Sequence, residues 1–236
     1  MLPLYSSESN ETKISVPKYS GGLYGDLTWY YLRPTASDGD LQYGTFLTLT
    51  DNPANLTAHV LELEPDYNHS FRVNLGYQIP DNVYNVNANY FYYHSSDSEK
   101  IQQKTLNQFI QNFLGASYKR AWGKEHQNLH QLDGTLGAHL IIDKRLDIHP
   151  NVGLRYVDVS QKLHVGFNDL FFNPFPISAA LKGTEKSHYW GIGPVVDTLF
   201  KYTIYKGLSL TGHLGASALI GNISSKVHSE TFSELA

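Results

Sequence analysis

Eleven histidines, and the carboxylates close to them, are the residues whose types could support catalysis or metal binding. His126 and His130 are four residues apart, a spacing that places two ligands on one face only in a helix. Since this pair runs into a segment with strand alternation, we predict no metal site there. Asp147 and His149 share one face of a predicted strand, but no nucleophile accompanies them. The prediction is therefore a protein that is not an enzyme, with no catalytic residue, no metal and no cofactor.

Composition narrows the classes of protein further. The chain of 236 residues has no Cys, which excludes a disulfide scaffold, a cysteine nucleophile and a thiolate zinc site. The net charge is −4 and no Lys/Arg cluster is present, so we predict no nucleic-acid partner. No apolar run reaches the length of a transmembrane helix. Two classes remain, a soluble β protein and an outer-membrane β-barrel, whose strands expose apolar side chains only at alternate positions.

The elements that must position any functional side chain are strands, because alternation of apolar and polar residues dominates the sequence. In each predicted strand one face is apolar and the other is rich in Asn, Asp, Gly, His or Arg. Strands of roughly 9–13 residues can cross a bilayer when tilted. Seven such strands are predicted, over residues 23–33, 70–78, 83–94, 132–142, 148–156, 190–200 and 208–220.

Short and long connections alternate along the chain. Short ones fall at 79–82, 143–145 and about 203–207, and long ones at about 34–66, 95–126 and 161–186, with a fourth from Asn222. Outer-membrane barrels have short turns at one end and long external loops at the other. We therefore divide the chain into an N-terminal tail (1–20), barrel strands with long external loops (21–221) and the start of a further loop (222–236).

The long connections carry three distinctive compositions. Within about 99–115, apolar residues at helical spacing predict a short amphipathic helix, packed on the barrel mouth or acting as a plug: Leu106, Phe109, Ile110 and Phe113. The first loop has six acidic residues and no basic one, which could attract cations or form a solvated surface: Asp38, Asp40, Asp51, Glu62, Glu64 and Asp66. The third contains an apolar group predicted to pack on the rim: Phe167, Phe171, Phe172 and Phe175.

The polar faces of the strands are the candidate functional surface. We predict that they line a water-filled interior, where charged and hydrogen-bonding side chains set ion preference. The alternative is an internal salt-bridge network that fills a narrow barrel. The predicted lining residues are Asp26, Arg72, Asn74, Asn85, Asn87, Asp133, His139, Arg155, Asp197 and His213, with Asn89 and His149 on the same faces.

Aromatic residues near the strand ends form a second candidate surface. Amphipathic rings suit the headgroup region of a membrane, which gives a reason for the 17 Tyr residues. The core of a soluble β-sandwich could also use them. The predicted interface girdle comprises Trp29, Tyr31, Tyr90, Tyr92 and Trp190.

Six short motifs in order resemble the Legionella major outer membrane protein family of pore-forming proteins. They are WYYLRP at 29–34, PDYNHSFRVNLGY at 65–77, HPNVGLRY at 149–156, HYWGIGP at 188–194, GLSL at 207–210 and ASALIG at 216–221. The resemblance covers roughly 20–221. It implies a closed antiparallel barrel in a bacterial outer membrane. It also implies passive diffusion of ions and small solutes through the barrel.

Two departures from the family pattern affect these expectations. Val195 stands where family members commonly have Arg, which removes a lumen charge that the resemblance would imply. Related chains continue for several strands, and bacterial single-chain barrels have even strand numbers. We therefore expect an incomplete or shortened barrel whose parent has ten or more strands.

Two functions remain open at this point. The first is a porin-like pore. The alternative is a surface structural or adhesive protein with a non-conducting lumen. Candidate partners are outer membrane lipid and lipopolysaccharide, ions and small solutes, host surface molecules and a second copy of the chain.

Overall fold

The structure, a computed structural model, describes residues 14–15, 21–33, 42–49, 56–63, 65–104, 108–112, 116–142, 145–170, 177–205 and 208–234. It is all-β and antiparallel. Within these ranges no helix is long and apolar enough to cross a membrane. The strands are β1 (Ile14–Ser15), β2 (Gly22–Leu32), β3 (Gln42–Leu49), β4 (Leu56–Glu62), β5 (Asn68–Gln78), β6 (Tyr84–Gln102), β7 (Gln108–Gln111), β8 (Ser117–Ala138), β9 (Leu140–Ile142), β10 (Leu146–Leu170), β11 (Ile177–Tyr205), β12 (Leu208–Ser217) and β13 (Ile220–Glu234).

The main sheet curls into a half-barrel and has seven strand positions, two of which are each occupied by two successive strands. Across the sheet, the first three positions are β2, β5 and β6. The fourth is shared by β8 and β9, the fifth and sixth are β10 and β11, and the seventh is shared by β12 and β13. β8 and β9 pair with β10 in one continuous register, and β12 and β13 pair in turn along β11. Every one of the seven predicted strands coincides with one of these positions.

The two faces of the sheet differ as the alternation predicts. On the convex face, apolar side chains are largely exposed, among them Leu27, Leu75, Leu154 and Leu214 at 60–69%. On the concave face, Asn85, Asp133 and Thr135 are buried, and the chain folds its polar strand faces inward. This is the reverse of a water-soluble sandwich, whose apolar faces are buried.

The long connections are strands for much of their length, which corrects the prediction of loops. β6 and β8 stay paired from Tyr84–Ala138 out to Gln102–Arg120, and β10 and β11 stay paired out to Leu170–Ile177. The segment from Asn222 belongs to β13 and was wrongly predicted as the start of a loop. Beyond about His130 neither strand face is uniformly apolar, so the alternation signal on which the prediction depended is lost there.

The predicted helix within 99–115 is wrong over the residues that the structure describes. Residues 99–102 end β6, and 108–111 form β7, which pairs with β3 and β8. Ile110 is completely buried in that strand. Apolar residues in so short a run fit helix and strand equally, and pairing with β3 decides between them. Leu106 and Phe113 lie outside the described residues.

A small three-stranded extension, β7–β3–β4, continues from the start of β8 and covers the concave face at that end. Tyr43 and Leu63 pack over Gly123, where an added Cβ would lie 3.2 Å from the Tyr43 ring and 3.3 Å from Leu63. Phe167 is buried in the same cluster, whose members are Tyr43, Leu61, Leu63, Ile110, Tyr118, Ala121 and Phe167. Phe171, Phe172 and Phe175 lie outside the described residues, as do Asp38, Asp40, Asp51 and Glu64.

The opposite end of the sheet has tight turns. Ile79 N donates to Tyr84 O at 3.1 Å, and Asp81 adopts a positive φ of 54°, which Asp tolerates in turns. This confirms the short turn at 79–82. Ile14 and Ser15, in the predicted N-terminal tail, pair with β9.

Candidate functional site

A polar cavity of about 660 Å³ lies on the concave face between β2, β5, β6, β8, β10, β11 and β12. Its lining includes seven of the ten predicted residues, Asp26, Arg72, Asn74, Asn85, Asn87, Asp197 and His213, together with Asn89 and His149 from the same faces. The alternation predicts this result, because successive strands paired in register place their polar positions side by side.

One buried ion pair on the concave face links the neighbouring strands β8 and β10. Arg155 Nε donates to Asp133 Oδ1 at 2.8 Å, and Arg155 Nη2 donates to Asp133 Oδ2 at 2.9 Å. The two residues are directly opposite in β10 and β8, and Asp133 is 4% exposed. A bidentate pair fixes the guanidinium and neutralises the buried carboxylate. Both were predicted to line the lumen, and they sit in its wall rather than at the cavity surface.

Amide side chains hold the remaining charges in place. Asn74 Nδ2 donates to Asp26 Oδ2 at 2.8 Å, and Asn151 Nδ2 donates to Asp197 Oδ1 at 2.9 Å. Arg72 Nη2 donates to Asn89 Oδ1 at 3.0 Å. Each charged group thus has one hydrogen bond to an amide side chain, and its remaining donors or acceptors face the cavity.

Several lining residues escaped the site prediction. Gln78, Thr135 and Asn151 lie on the predicted polar faces but outside the selected set, and Tyr24, Tyr30 and Leu199 have partly apolar side chains. All six lie at the alternate positions that share the polar face of their strand, so selecting every second residue would have included them. Tyr24 passes over Gly76 of β5 and donates its hydroxyl hydrogen to Asn87, a contact between β2 and β6 that parity alone does not reveal.

Beyond the cavity, towards the extended ends of the strands, the concave face is acidic. Asp97, Glu125 and Glu185 lie in one cross-strand row, with Leu163 between the last two. A second opening of about 480 Å³ nearby is lined by Glu62, Asp66, Asp97 and Glu99 among others. Burial raises the pKa of Glu125, Asp97 raises it further, and the hydrogen bond from Gln161 opposes both.

On the convex face, aromatic side chains form a band across the sheet. Trp29, Phe71, Tyr92 and His130 follow one another in a single cross-strand row, which Asp158 and Trp190 continue. Ring centroids along the band are 4.9–5.5 Å apart in the pairs Trp29–His69, Tyr31–Tyr67, Tyr31–His69, Phe71–Tyr92 and Tyr92–His130. Tyr90 bonds His130 at 2.8 Å. All five predicted girdle residues lie in or beside this band.

Above the band the convex face is basic. His126, Lys162, Lys186 and Lys226 occupy one cross-strand row, which we call the basic row. Lys124, His164 and His228 follow in the next row. Burial lowers the pKa of His126, and the neighbouring Lys124, His164, His94 and Lys162 lower it further. Alternation therefore separates the charges, acidic on the concave side and basic on the convex side.

An antiparallel half-barrel with a polar concave face and an exposed apolar convex face bordered by aromatic residues defines the class of outer-membrane β proteins. The family model described as Legionella pneumophila major outer membrane protein precursor matches residues 16–235, so the chain belongs to that family and is a protein of the bacterial outer membrane. The family is one of structural outer membrane proteins rather than of enzymes. No curated protein matches the chain, and no solved structure matches it.

Proposed function

We propose that the concave face is the wall of a pore through which ions and small solutes diffuse passively. The observation that carries the proposal is the cavity on that face, whose lining combines Asp, Asn, Arg and His side chains contributed by seven strand positions. Polar side chains replace part of the hydration of a passing solute, and an open cavity leaves room for water.

The pore is expected to prefer cations. Asp26, Asp133 and Asp197 outnumber Arg72 and Arg155 on the concave face, and the Asp133 charge is cancelled by Arg155. The acidic row at the extended strand ends adds negative charge at the entrance. Clefts lined by one sign of charge concentrate counter-ions.

Planar-bilayer recording of the full chain tests the proposal. We expect conductance steps and a reversal potential that shows cation preference. Arg155→Glu changes the wall by two negative charges and should move the reversal potential further towards that of a cation-selective pore. Arg120→Glu is the matched control, because Arg120 also pairs with a carboxylate, Asp169 at 2.6 Å, but on the convex face. An absence of conductance steps, or equal shifts for both variants, contradicts the proposal.

The second candidate, a surface structural or adhesive protein with a non-conducting lumen, is favoured by one observation. The β7–β3–β4 extension packs its apolar side chains, Tyr43 and Leu63 among them, over the concave face at the extended end. This cover narrows the entrance. Absence of conductance in the bilayer experiment would select this function.

The convex face suits membrane lipid. Trp190 and Tyr202 lie twelve residues apart on β11 near the two borders of the apolar face. At about 3.3 Å per residue and a tilt of about 35–45°, they are separated by roughly 28–33 Å along the membrane normal, close to the thickness of the hydrocarbon layer. The aromatic band then lies at the headgroup level.

The basic row, separated from the aromatic band by one row that contains Ser160 and His188, suits phosphate groups of the outer leaflet, including those of lipopolysaccharide. Lys162, Lys186 and Lys226 are directly opposite one another on β10, β11 and β13. Like charges in that arrangement repel and destabilise a sheet. A bound phosphate removes the repulsion and forms charge-assisted hydrogen bonds.

Stability in vesicles of different lipid composition tests this contact. Wild-type protein should be more stable in vesicles containing a phosphorylated glycolipid than in neutral phosphatidylcholine vesicles. The gain should fall in the triple variant Lys162→Gln, Lys186→Gln, Lys226→Gln and persist in Lys201→Gln, which lies outside the basic row. An equal gain in both variants contradicts the contact.

A further inference from the structure

Three side chains, one of which also lines the cavity, meet on the concave face where β9 pairs with the start of β10. They are His139, at the junction of β8 and β9, and Asp147 and His149 on β10. One imidazole or carboxylate ligand atom from each lies within 4.8 Å of the other two. Asp147 Oδ1 is 3.4 Å from His149 Nε2 and contacts His139 Nε2.

Sheet geometry explains why these residues converge. Asp147 and His149 are two apart on one strand and therefore share a face. The register on either side, Asn151–Gly137 and Ile148–Leu140, places His139 opposite His149. Their ring centroids are 3.8 Å apart. Two positions on one strand and the facing position on its neighbour are a compact way for a sheet to present three ligands on one side.

The carboxylate oxygen at the centre of the group is incompletely satisfied. Asp147 Oδ1 is inaccessible to solvent and accepts no hydrogen bond, although both imidazoles lie beside it. Buried acceptors are normally hydrogen-bonded, and the two contacts of this oxygen with imidazole nitrogens lack hydrogen-bond geometry. A cation bound between the three side chains would supply the missing partner.

We propose that His139, Asp147 and His149 bind a divalent transition metal ion, with Zn²⁺ as the best fit. Two imidazoles and one carboxylate are a ligand set that Zn²⁺ uses, with a fourth position left for water. Ca²⁺ and Mg²⁺ prefer all-oxygen sites, which the two imidazoles do not provide. Tetrahedral ligands around zinc lie about 3.3 Å apart. Asp147 and His149 already have this spacing at 3.4 Å, and the remaining ligand atoms, all within 4.8 Å, need to shift by no more than about 1.5 Å.

The ion has a path to the site. His149 also lines the 660 Å³ cavity, so a hydrated ion in the cavity reaches one ligand directly. A bound ion would cross-link His139, which immediately precedes β9, to the beginning of β10. Because ligand binding to the folded state stabilises it, the ion is expected to raise the resistance of this end of the sheet to unfolding.

Calorimetric titration of the full chain, folded in detergent micelles, with Zn²⁺ tests the proposal. We expect one site per chain, with affinity reduced at least about 100-fold in Asp147→Asn and in His149→Ala, since loss of an outer-shell contact alone costs about 10–100-fold. His188→Ala is the matched control, because His188 and Asp158 form an exposed His–carboxylate pair at 3.0 Å. Its Zn²⁺ affinity should equal that of the wild type.

The variants themselves guard against a folding artefact. Asp147→Asn keeps the size of the side chain, and its circular dichroism spectrum should match that of the wild type. Absorption of bound Co²⁺ in the visible range should be lost with Asp147→Asn and retained with His188→Ala. Absence of Zn²⁺ binding to the wild type, or equal affinity in all variants, overturns the proposal. The measurement involves no current, so its outcome is independent of whether the pore conducts.

Discussion

Replacing Val152 by Arg should test whether the convex face contacts lipid. Val152 lies midway between the aromatic band and the turn end of β10, in a row with Leu136 and Val196. Its side chain is 55% exposed, and the two neighbours are 60% and 56% exposed. In water, a charged residue at such a position changes stability by no more than about 0.5 kcal/mol. At the midplane of a bilayer, Arg on the lipid face costs about 2–4 kcal/mol.

Equilibrium unfolding of the chain in phospholipid vesicles by urea measures this difference. We expect Val152→Arg to lower the free energy of unfolding by about 2–4 kcal/mol. Ser160→Arg is the control, because Ser160 is on the same face of β10 but beyond the aromatic band. Its cost should be about 1 kcal/mol or less. Equal small effects of both substitutions would refute the assignment of the apolar face to lipid.

Two further predictions concern packing and pH. Gly153→Ala should lower the free energy of unfolding by about 1–3 kcal/mol in the same assay, because the new Cβ would lie 2.0 Å from Gly134 O. Gly134→Ala, whose Cβ would have no atom within 4 Å, should be close to neutral. Equal costs would contradict the close approach of β8 and β10. The raised pKa of Glu125 means that the folded state binds a proton more readily than the unfolded state, so stability is highest below the ordinary Glu pKa and falls as pH rises through the raised pKa. Glu125→Gln should remove this part of the decline as the pH rises above the ordinary Glu pKa. A decline as steep as that of the wild type would exclude Glu125 as its source.

Strand alternation was sufficient to locate the main sheet and its two faces. Leu132, Leu136 and the residues between them repeat with period two, and β8 contains them in the predicted orientation. The same rule placed Asp26, Asn74 and Asp197 at the cavity. These predictions needed only local sequence, since side-chain parity in a strand is independent of its partners.

What the sequence could not reveal depends on pairing between distant segments. Ile110 is extended because β7 pairs with β3, more than sixty residues earlier, and its own spacing fits a helix equally. His139 meets His149 only once the register of β8 and β10 is known. The rows of Lys and of carboxylates likewise arise from register, because their members come from three or more strands.

The absence of Cys from the chain allows the central claim to be tested with single introduced thiols. Cys would be placed one at a time along β10, at the cavity-lining His149 and Asn151 on the concave face and at Val152 and Leu154 on the convex face. A water-soluble, charged thiol reagent would then be added during planar-bilayer recording. If the concave face is the pore wall, conductance falls at the first two positions and stays unchanged at the other two. Equal responses on the two faces, or none at His149 and Asn151, would contradict a pore lined by the concave face of this sheet.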